Sequence, residues 1–502
     1  MLRKLASVSG FTLLSRLTGF ARDMVLAWTL GSGILSDAFF VAFIFPNNFR
    51  AIFGEGTINP AFLPRYATLR ARGENEAAAK FANDIFAWQM AAQIVLLALA
   101  TIFMPAIVRV LAWGWADDPA RLNLTVSLAR ITFPYLILTL VAVQLSAMLN
   151  AIEKFWAAAA WSNFQNLAMI ATLIAWHWFP NAAYAAAWGV TLGGVAQLIF
   201  ILWAGAREGL WLSFTWPRWS PEIGAFFKAF GAVTIGATML VISPLIDTLL
   251  ASWLPVGTRT ALYYGDRINQ LPLGVLGAAL GTVLLPEMSA RLARGDTKGS
   301  HAAQNRSAAM SLLLTLPFMA AFILIPDTIM SAYLAHGAFR HDAAAAAAGV
   351  LAAYGIGLPA QAMTRIVQST FYARHDTMTP VRATVTAVAI NIAAKIFFVW
   401  GLHMGVAGIA LGTSIGAWTN VGILIWLGRS RDLLAIEKIF LHALPVSLLA
   451  ALACGAGAWA GANLLKAHGD VVALAAAILL AGLGYGAMLL LFRNRLPIRR
   501  MA

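Results

Sequence analysis

The chain has 502 residues, 60% of them hydrophobic and only 11% charged. Soluble domains carry about 25% charged residues, so this composition excludes a soluble enzyme or binding module and reads as an all-α polytopic membrane protein. The formal charge of +14 does not point to nucleic acid, because the basic residues are scattered at loop positions, where membrane topology accounts for them. The single cysteine, Cys454, lies in an apolar segment and offers neither an internal disulfide nor a thiolate cluster for a metal.

A spanning helix needs about 20 apolar residues, and the chain divides into about fourteen such stretches: 6–30, 34–56, 79–106, 123–150, 156–178, 183–205, 223–252, 259–289, 303–326, 344–373, 378–401, 405–428, 439–465 and 470–492. One set of alternate loops holds Arg65, Arg70, Arg72, Lys154, Arg207, Arg218, Arg291, Arg294 and the basic tail; the other holds little beyond Arg121, Arg259, Arg340 and Lys466. The bias of lysine and arginine toward cytoplasmic loops puts both termini in the cytoplasm.

The first stretch departs most from a plain apolar span. At helical spacing Ser9, Thr12, Ser15, Arg16, Gly19, Arg22 and Asp23 share one face, while Leu13, Leu14, Leu17, Phe20 and Met24 share the other. A charge at bilayer depth costs from ~2.5 to over 10 kcal/mol, so these groups require water, a partner or an anionic ligand. In the second stretch Asp37, Asn47, Asn48 and Arg50 interrupt an aromatic run, Pro46 predicts a kink, and Gly54-Glu55-Gly56 ends it.

An internal repeat is visible. Leu63-Pro64 followed by Ala71-Arg72-Gly73-Glu74 parallels Leu285-Pro286 followed by Ala293-Arg294-Gly295-Asp296, and Gly189-Val190-Thr191-Leu192-Gly193 parallels Gly408-Ile409-Ala410-Leu411-Gly412. Two matches in the same order predict two homologous lobes of about six helices related by an axis along the membrane normal. The expected organisation is a lobe at 1–205, a tryptophan-bearing linker at 206–222, a second lobe at 223–428, and at 429–502 two additional helices with a basic tail.

In the second lobe Tyr263, Asp266, Arg267, Gln270, Gly274, Gly277 and Gly281 share a face of the eighth stretch. The glycines permit close approach of a backbone or ligand. Asn163, Gln165 and Asn166 read as interhelical hydrogen-bonding groups. Asp247, and Lys395 with Asn391, are charges and amides at membrane depth, open to either an ion pair or an ion-coupling role. The last two helices, without acid or base in 439–465 and 471–492, are expected to face lipid or a lipid-like ligand.

No nucleophile–base order, phosphate loop, metal-binding helix or paired acidic motif stands at a plausible position, so catalysis, a metal and a cofactor are not expected. What remains is a water-accessible cationic cavity of Arg16, Arg22, Arg50 and Arg267, partly offset by Asp23, Asp37 and Asp266. Guanidinium forks match phosphate oxygens, which suits capture of a phosphate-bearing head group by a two-lobe transporter.

The motifs Ser15-Arg16-Leu17-x-Gly19-Phe20-Ala21-Arg22-Asp23, Ser36-Asp37-Ala38-Phe39-Phe40, Pro46-Asn47, Phe53-x-Glu55-Gly56, Tyr264-x-Asp266-Arg267 and Pro272-x-Gly274-Val275-Leu276-Gly277 resemble the MurJ (MviN) lipid II flippase family, within the multidrug/oligosaccharidyl-lipid/polysaccharide exporter superfamily, over essentially the whole chain. The resemblance implies a bacterial inner-membrane protein whose lobes form a V around the cationic cavity, with a groove for a polyprenyl tail at the last two helices. It implies lipid II as the partner, carried from the cytoplasmic to the periplasmic leaflet, with membrane lipids and cell-wall synthesis proteins as further partners and no nucleic acid. Carried onto this chain, Arg16, Arg22, Arg50 and Arg267 would contact the head group, with Asp23, Asp37, Asn47, Asp266 and Gln270 shaping its site and Gly54, Glu55 and Gly56 gating it. Gln270 and Lys395 depart from relatives that carry acidic residues there; the lysine stands about where some relatives place a sodium ligand, which disfavours sodium coupling here. The alternative is an exporter of another polyprenyl-linked oligosaccharide, or a multidrug antiporter, of the same superfamily.

Overall fold

The computed structural model describes the backbone of residues 2–281 and 284–492, and side chains over 10–53, 58–231, 234, 241–274 and 284–492. The side chains of Glu55, of the glycines flanking it and of the 493–502 tail therefore lie outside the described residues. Every described regular element is a helix.

The chain forms two compact units, Met1–Arg259 with His336–Phe339, and Thr260–Ala335 with Arg340–Ala502. The first contains α1 (Leu2–Leu30), α2 (Ile34–Phe49), a π-helical stretch Arg50–Ile58, α3 (Asn59–Ala71), α4 (Asn75–Leu111), α5 (Pro119–Thr132), α6 (Tyr135–Ala151), α7 (Phe155–Ala160), α8 (Ser162–Ile174), α9 (Ala182–Arg207) and α10 (Pro221–Ser252). The second follows with α11 (Thr258–Gly281), α12 (Leu284–Ala293), α13 (Thr297–Leu324), α14 (Pro326–Leu334), α15 (His341–Tyr372), α16 (Met378–Ile396), α17 (Gly405–Ser430), α18 (Lys438–Leu464) and α19 (Asp470–Leu491).

Among the described residues, 9 helical stretches are long and apolar enough to cross a membrane. The expected spans outside that set are 6–30, 34–56, 156–178, 223–252 and 259–289. They fall on helices that carry charge (α1, α11), are short or broken (α2, α8), or are described in part (α10). Pro46 does not end α2, because the helix passes into the π-helical stretch and then α3; the chain turns only at Arg72–Glu74.

The repeat has a physical counterpart in each unit. Gly73 takes φ 78°, with its N–H bonded to Arg70 O and that of Glu74 to Leu69 O; Gly295 takes φ 74°, with its N–H on Leu292 O and that of Asp296 on Arg291 O. Only glycine adopts this left-handed closure of a helix without a steric penalty. Gly189 and Gly193 in α9 lie against Met169 and Gln165 of α8 with no room for a Cβ, as Gly408 and Gly412 in α17 lie against Phe398 and Lys395.

The boundary between units differs from the expected one. Stretch 223–252, expected in the 223–428 lobe, packs in the first unit, because Phe230 of α10 stacks on Phe53 (6.1 Å) and Phe227 meets Trp88 edge-on (5.9 Å). The extended segment between α9 and α10 is tied to α4 through Ser213 N–H to Asn83 Oδ1 (2.8 Å) and Trp88 Nε1–H to Arg218 O (3.1 Å). His336–Phe339 also joins the first unit, with Ala338 N–H donating to Trp28 O at 2.9 Å.

In the second unit α18 packs on α13 and α19. The outer face of α19 is exposed at Leu479, Leu483 and Leu490, as expected for a helix bathed in hydrocarbon.

Candidate functional site

The polar face of α1 is zipped to α8. Ser15 Oγ lies 2.9 Å from Ser162 Oγ, Thr18 donates to Asn163 Oδ1 (3.1 Å), and the Asn166 amide donates to Thr18 Oγ1 (3.0 Å) and Ser15 O (3.2 Å). The amides on α8 thus act as the interhelical groups expected of them, while Leu13, Leu14 and Leu17 point outward. Without a hydrophobic drive between helices in lipid, such hydrogen bonds and close small-residue packing supply the association.

Arg22 ends this zipper. Its Nε donates to Asp23 Oδ1 at 2.9 Å and its Nη1 to Asn166 Oδ1 at 3.1 Å, while Asp23 is fully buried and Arg22 keeps 11% of its side chain exposed. Asp23 and Asn166 together orient the guanidinium plane, with Nε and Nη2 on Asp23 Oδ1 and Nη1 on Asn166 Oδ1. Arg16, nearly two turns earlier, is exposed. Arg50 opens the π-helical stretch, half-buried, with Nη2 on Asn47 Oδ1 at 3.3 Å.

Asp37 behaves differently from the expectation that it shapes a substrate site. It is 1% exposed, accepts from Arg121 Nη2 at 2.7 Å and from Gly257 N–H at 2.8 Å, and Arg121 stacks 3.6 Å above the Trp115 ring. A carboxylate so enclosed joins α2, α5 and the turn after α10. Arg121 was assigned by sequence to a loop; nothing in the residues around position 121 signals a partner on α2.

In the second unit Gln270 Nε2 donates to Asp266 Oδ2 at 2.6 Å on α11, with Asp266 and Arg267 half-buried and Gln270 exposed. Lys395 is fully buried on α16 beneath Gly412, with Asn391 one turn before it and 6% exposed. Asp247, half-buried on α10, belongs to the first unit. The structure therefore groups Arg22 with Asp23, Asn47 with Arg50, and Asp266 with Gln270. Among the described residues no cluster of His, Cys, Asp and Glu could hold a metal ion.

Polar, broken helices set among apolar ones, with the same turn and the same glycine contact in each unit, make a polytopic membrane protein with an internally recurring helical pattern. Comparison with known proteins agrees. The structure matches a solved chain titled as an inward-facing multidrug resistance MATE family transporter of the MOP superfamily (TM-score 0.70, 14% identity, covering 83% of this chain and 97% of that one). It also matches one titled "Lipid II flippase MurJ, inward closed conformation" (TM-score 0.79, 23% identity, covering 97% and 99%). A relative from Rhizobium tropici, named "Probable lipid II flippase MurJ", is 36% identical over 468 residues, covering 89% of this chain and 87% of its own. The family profile described as "Lipid II flippase MurJ" matches residues 26–480. The fold is the one shared by these two solved transporters. The chain belongs to the MurJ lipid II flippase family.

Proposed function

We propose that this protein carries undecaprenyl-pyrophosphate-linked disaccharide-pentapeptide, lipid II, from the cytoplasmic to the periplasmic leaflet of the bacterial inner membrane by alternating access, with both termini cytoplasmic. The observation that carries the reading is Arg22. Its charge is offset by Asp23 and its plane is fixed by Asn166, and 11% of its side chain stays exposed on the same helix as the exposed Arg16. A pyrophosphate supplies the oxygens that such forks bind bidentately. Because Asp23 already weakens the local field, the anion is held loosely enough to leave, which transport demands.

Arg16, Arg22, Arg50 and Arg267 engage the head group in this reading, with Asp23, Asn47, Asp266 and Gln270 setting their orientation. The π-helical backbone through Gly54-Glu55-Gly56 provides the gating segment, since π-helical turns recur at functional sites and bend readily. Solved transporters of this fold titled inward-facing and outward-facing support a cycle between states. The isoprenoid tail stays in lipid along α18 and α19.

Arg16→Glu with Arg267→Glu, reconstituted in vesicles with lipid II, is expected to abolish translocation while membrane insertion is normal; full transport by the double variant would refute the reading. Arg22→Glu is a poorer test, because it sets a second carboxylate against the buried Asp23. We further infer that transport is not coupled to sodium: the ammonium of Lys395, fully buried next to Asn391, repels a cation there. Replacing sodium by potassium in the same vesicles should leave the rate unchanged, and a clear sodium dependence would overturn this.

A further inference from the structure

A cavity of about 160 Å³ lies within the first unit, where the first half of α4, the π-helical stretch and the first turns of α10 meet. Its walls are rings: Phe53, Trp88, Phe226, Phe227 and Phe230. Those rings brace one another, with Phe53 stacked on Phe230 at 6.1 Å and Trp219 stacked on Phe227 at 5.8 Å, so the shape is preformed.

The feature that sets this cavity apart is a pair of amides. Gln89 and Gln93, one turn apart on α4, both line it, and neither the NH₂ nor the C=O of either side chain has a hydrogen-bond partner. Gln93 is only 4% exposed. Buried side-chain amides are ordinarily paired, and each exception calls for an explanation.

Water paired with the two amides leaves the rest of the cavity, walled by apolar side chains, without polar partners. At its rim Ala92 is exposed, and the neighbouring Ile94, Val95 and Leu99 form an outward apolar surface on a spanning helix, so the mouth opens toward hydrocarbon. Among the described residues that line the cavity none is charged.

We propose that this cavity is a binding site for an uncharged, membrane-dissolved amphiphile with an aromatic or aliphatic body and a carboxamide-like group that both donates and accepts hydrogen bonds. The body fills the space between the rings, and the polar end pairs with Gln89 and Gln93. A bound molecule bridges α4, the π-helical stretch and α10. None of the arginines proposed to handle the transported lipid lines the cavity, and its test does not depend on transport.

The experiment uses the full-length protein in phospholipid nanodiscs and a photoreactive benzamide bearing a short alkyl diazirine. Saturable cross-linking is expected on the segments containing Trp88–Leu96 and Phe226–Phe230, with excess plain benzamide competing. Ala92→Trp, which sets an indole across the mouth from an exposed position, should lower labelling at least tenfold. Gln89→Leu with Gln93→Leu should lower it similarly, yet leave labelling by a matched phenylalkyl diazirine without the amide at the wild-type level. Unfolding temperatures measured on the same nanodiscs identify folded variants. Labelling of the wild type that rises linearly with probe and is not competed, or that is the same in both folded variants, overturns the proposal.

Discussion

Two Arg–Asp pairs in the first unit are held in different ways. Arg121 and Asp37 come from different helices, are 7% and 1% exposed, and are closed off by the Gly257 amide and the Trp115 ring. Arg22 and Asp23 are neighbours on α1, with the aspartate fully buried and the arginine 11% exposed. A charge at membrane depth is therefore not in itself a mark of function. What separates a helix tie from a ligand-binding group is whether the surrounding donors and acceptors leave any of it accessible.

The largest expected effect tests the closed pair. Asp37→Ala or Arg121→Ala leaves one buried charge uncompensated and should cost about 3–5 kcal/mol of stability, read by unfolding in detergent. Asp37→Leu combined with Arg121→Met should recover much of that loss, since well-packed apolar groups can replace a buried pair. If Asp37→Ala unfolds like the wild type but no longer transports, the comparison is inverted and Asp37 is the functional carboxylate.

Next comes the open pair. Arg22→Lys keeps a positive charge for Asp23 but loses the planar fork; translocation should fall at least tenfold, about 1.4 kcal/mol in the barrier, with unfolding little changed. Arg16→Gln touches an exposed position and should stay within about 0.5 kcal/mol of wild-type stability while slowing lipid II transport several-fold. A variant that loses stability and keeps its transport rate would move Arg16 to the structural side.

The smallest effect concerns a carboxylate outside the spans. Asp376 accepts from Thr379 Oγ1 (2.6 Å) and Thr379 N–H (3.0 Å) and lies 3.4 Å from Arg431; these bonds, the Thr379 hydroxyl foremost, hold its pKa below 3.8. Its contribution is present above the unfolded value and is lost as pH falls through the folded one. Asp376→Ala should therefore cost about 1 kcal/mol near neutral pH, as for a lost helix cap, and this difference should vanish below the folded pKa in acid unfolding curves.

Much of this was legible in the sequence, for physical reasons. The apolar spans without charge announce themselves because hydrocarbon admits little else, and the turns at Gly73 and Gly295 share their glycine because the left-handed closure favours it there. The polar face of α1 was readable from spacing, although not the fact that Ser15 and Thr18 are taken up by α8. The tie from Asp37 to Arg121 was not readable: 84 residues separate the partners and Arg121 stands where a loop charge would. The π-helical run into α3 is not legible because Gly54-Glu55-Gly56 reads as a helix ending. Gln89 and Gln93 look like helix-face amides until the rings of α10 are folded over them.

The most direct test of the open-pair account is the rate of lipid II translocation by Arg22→Lys and wild type in the same vesicles, with unfolding temperature measured on both samples. The account predicts a rate at least tenfold lower at nearly equal unfolding temperature. Equal rates would contradict it and make Arg22, like Arg121, a tie between helices.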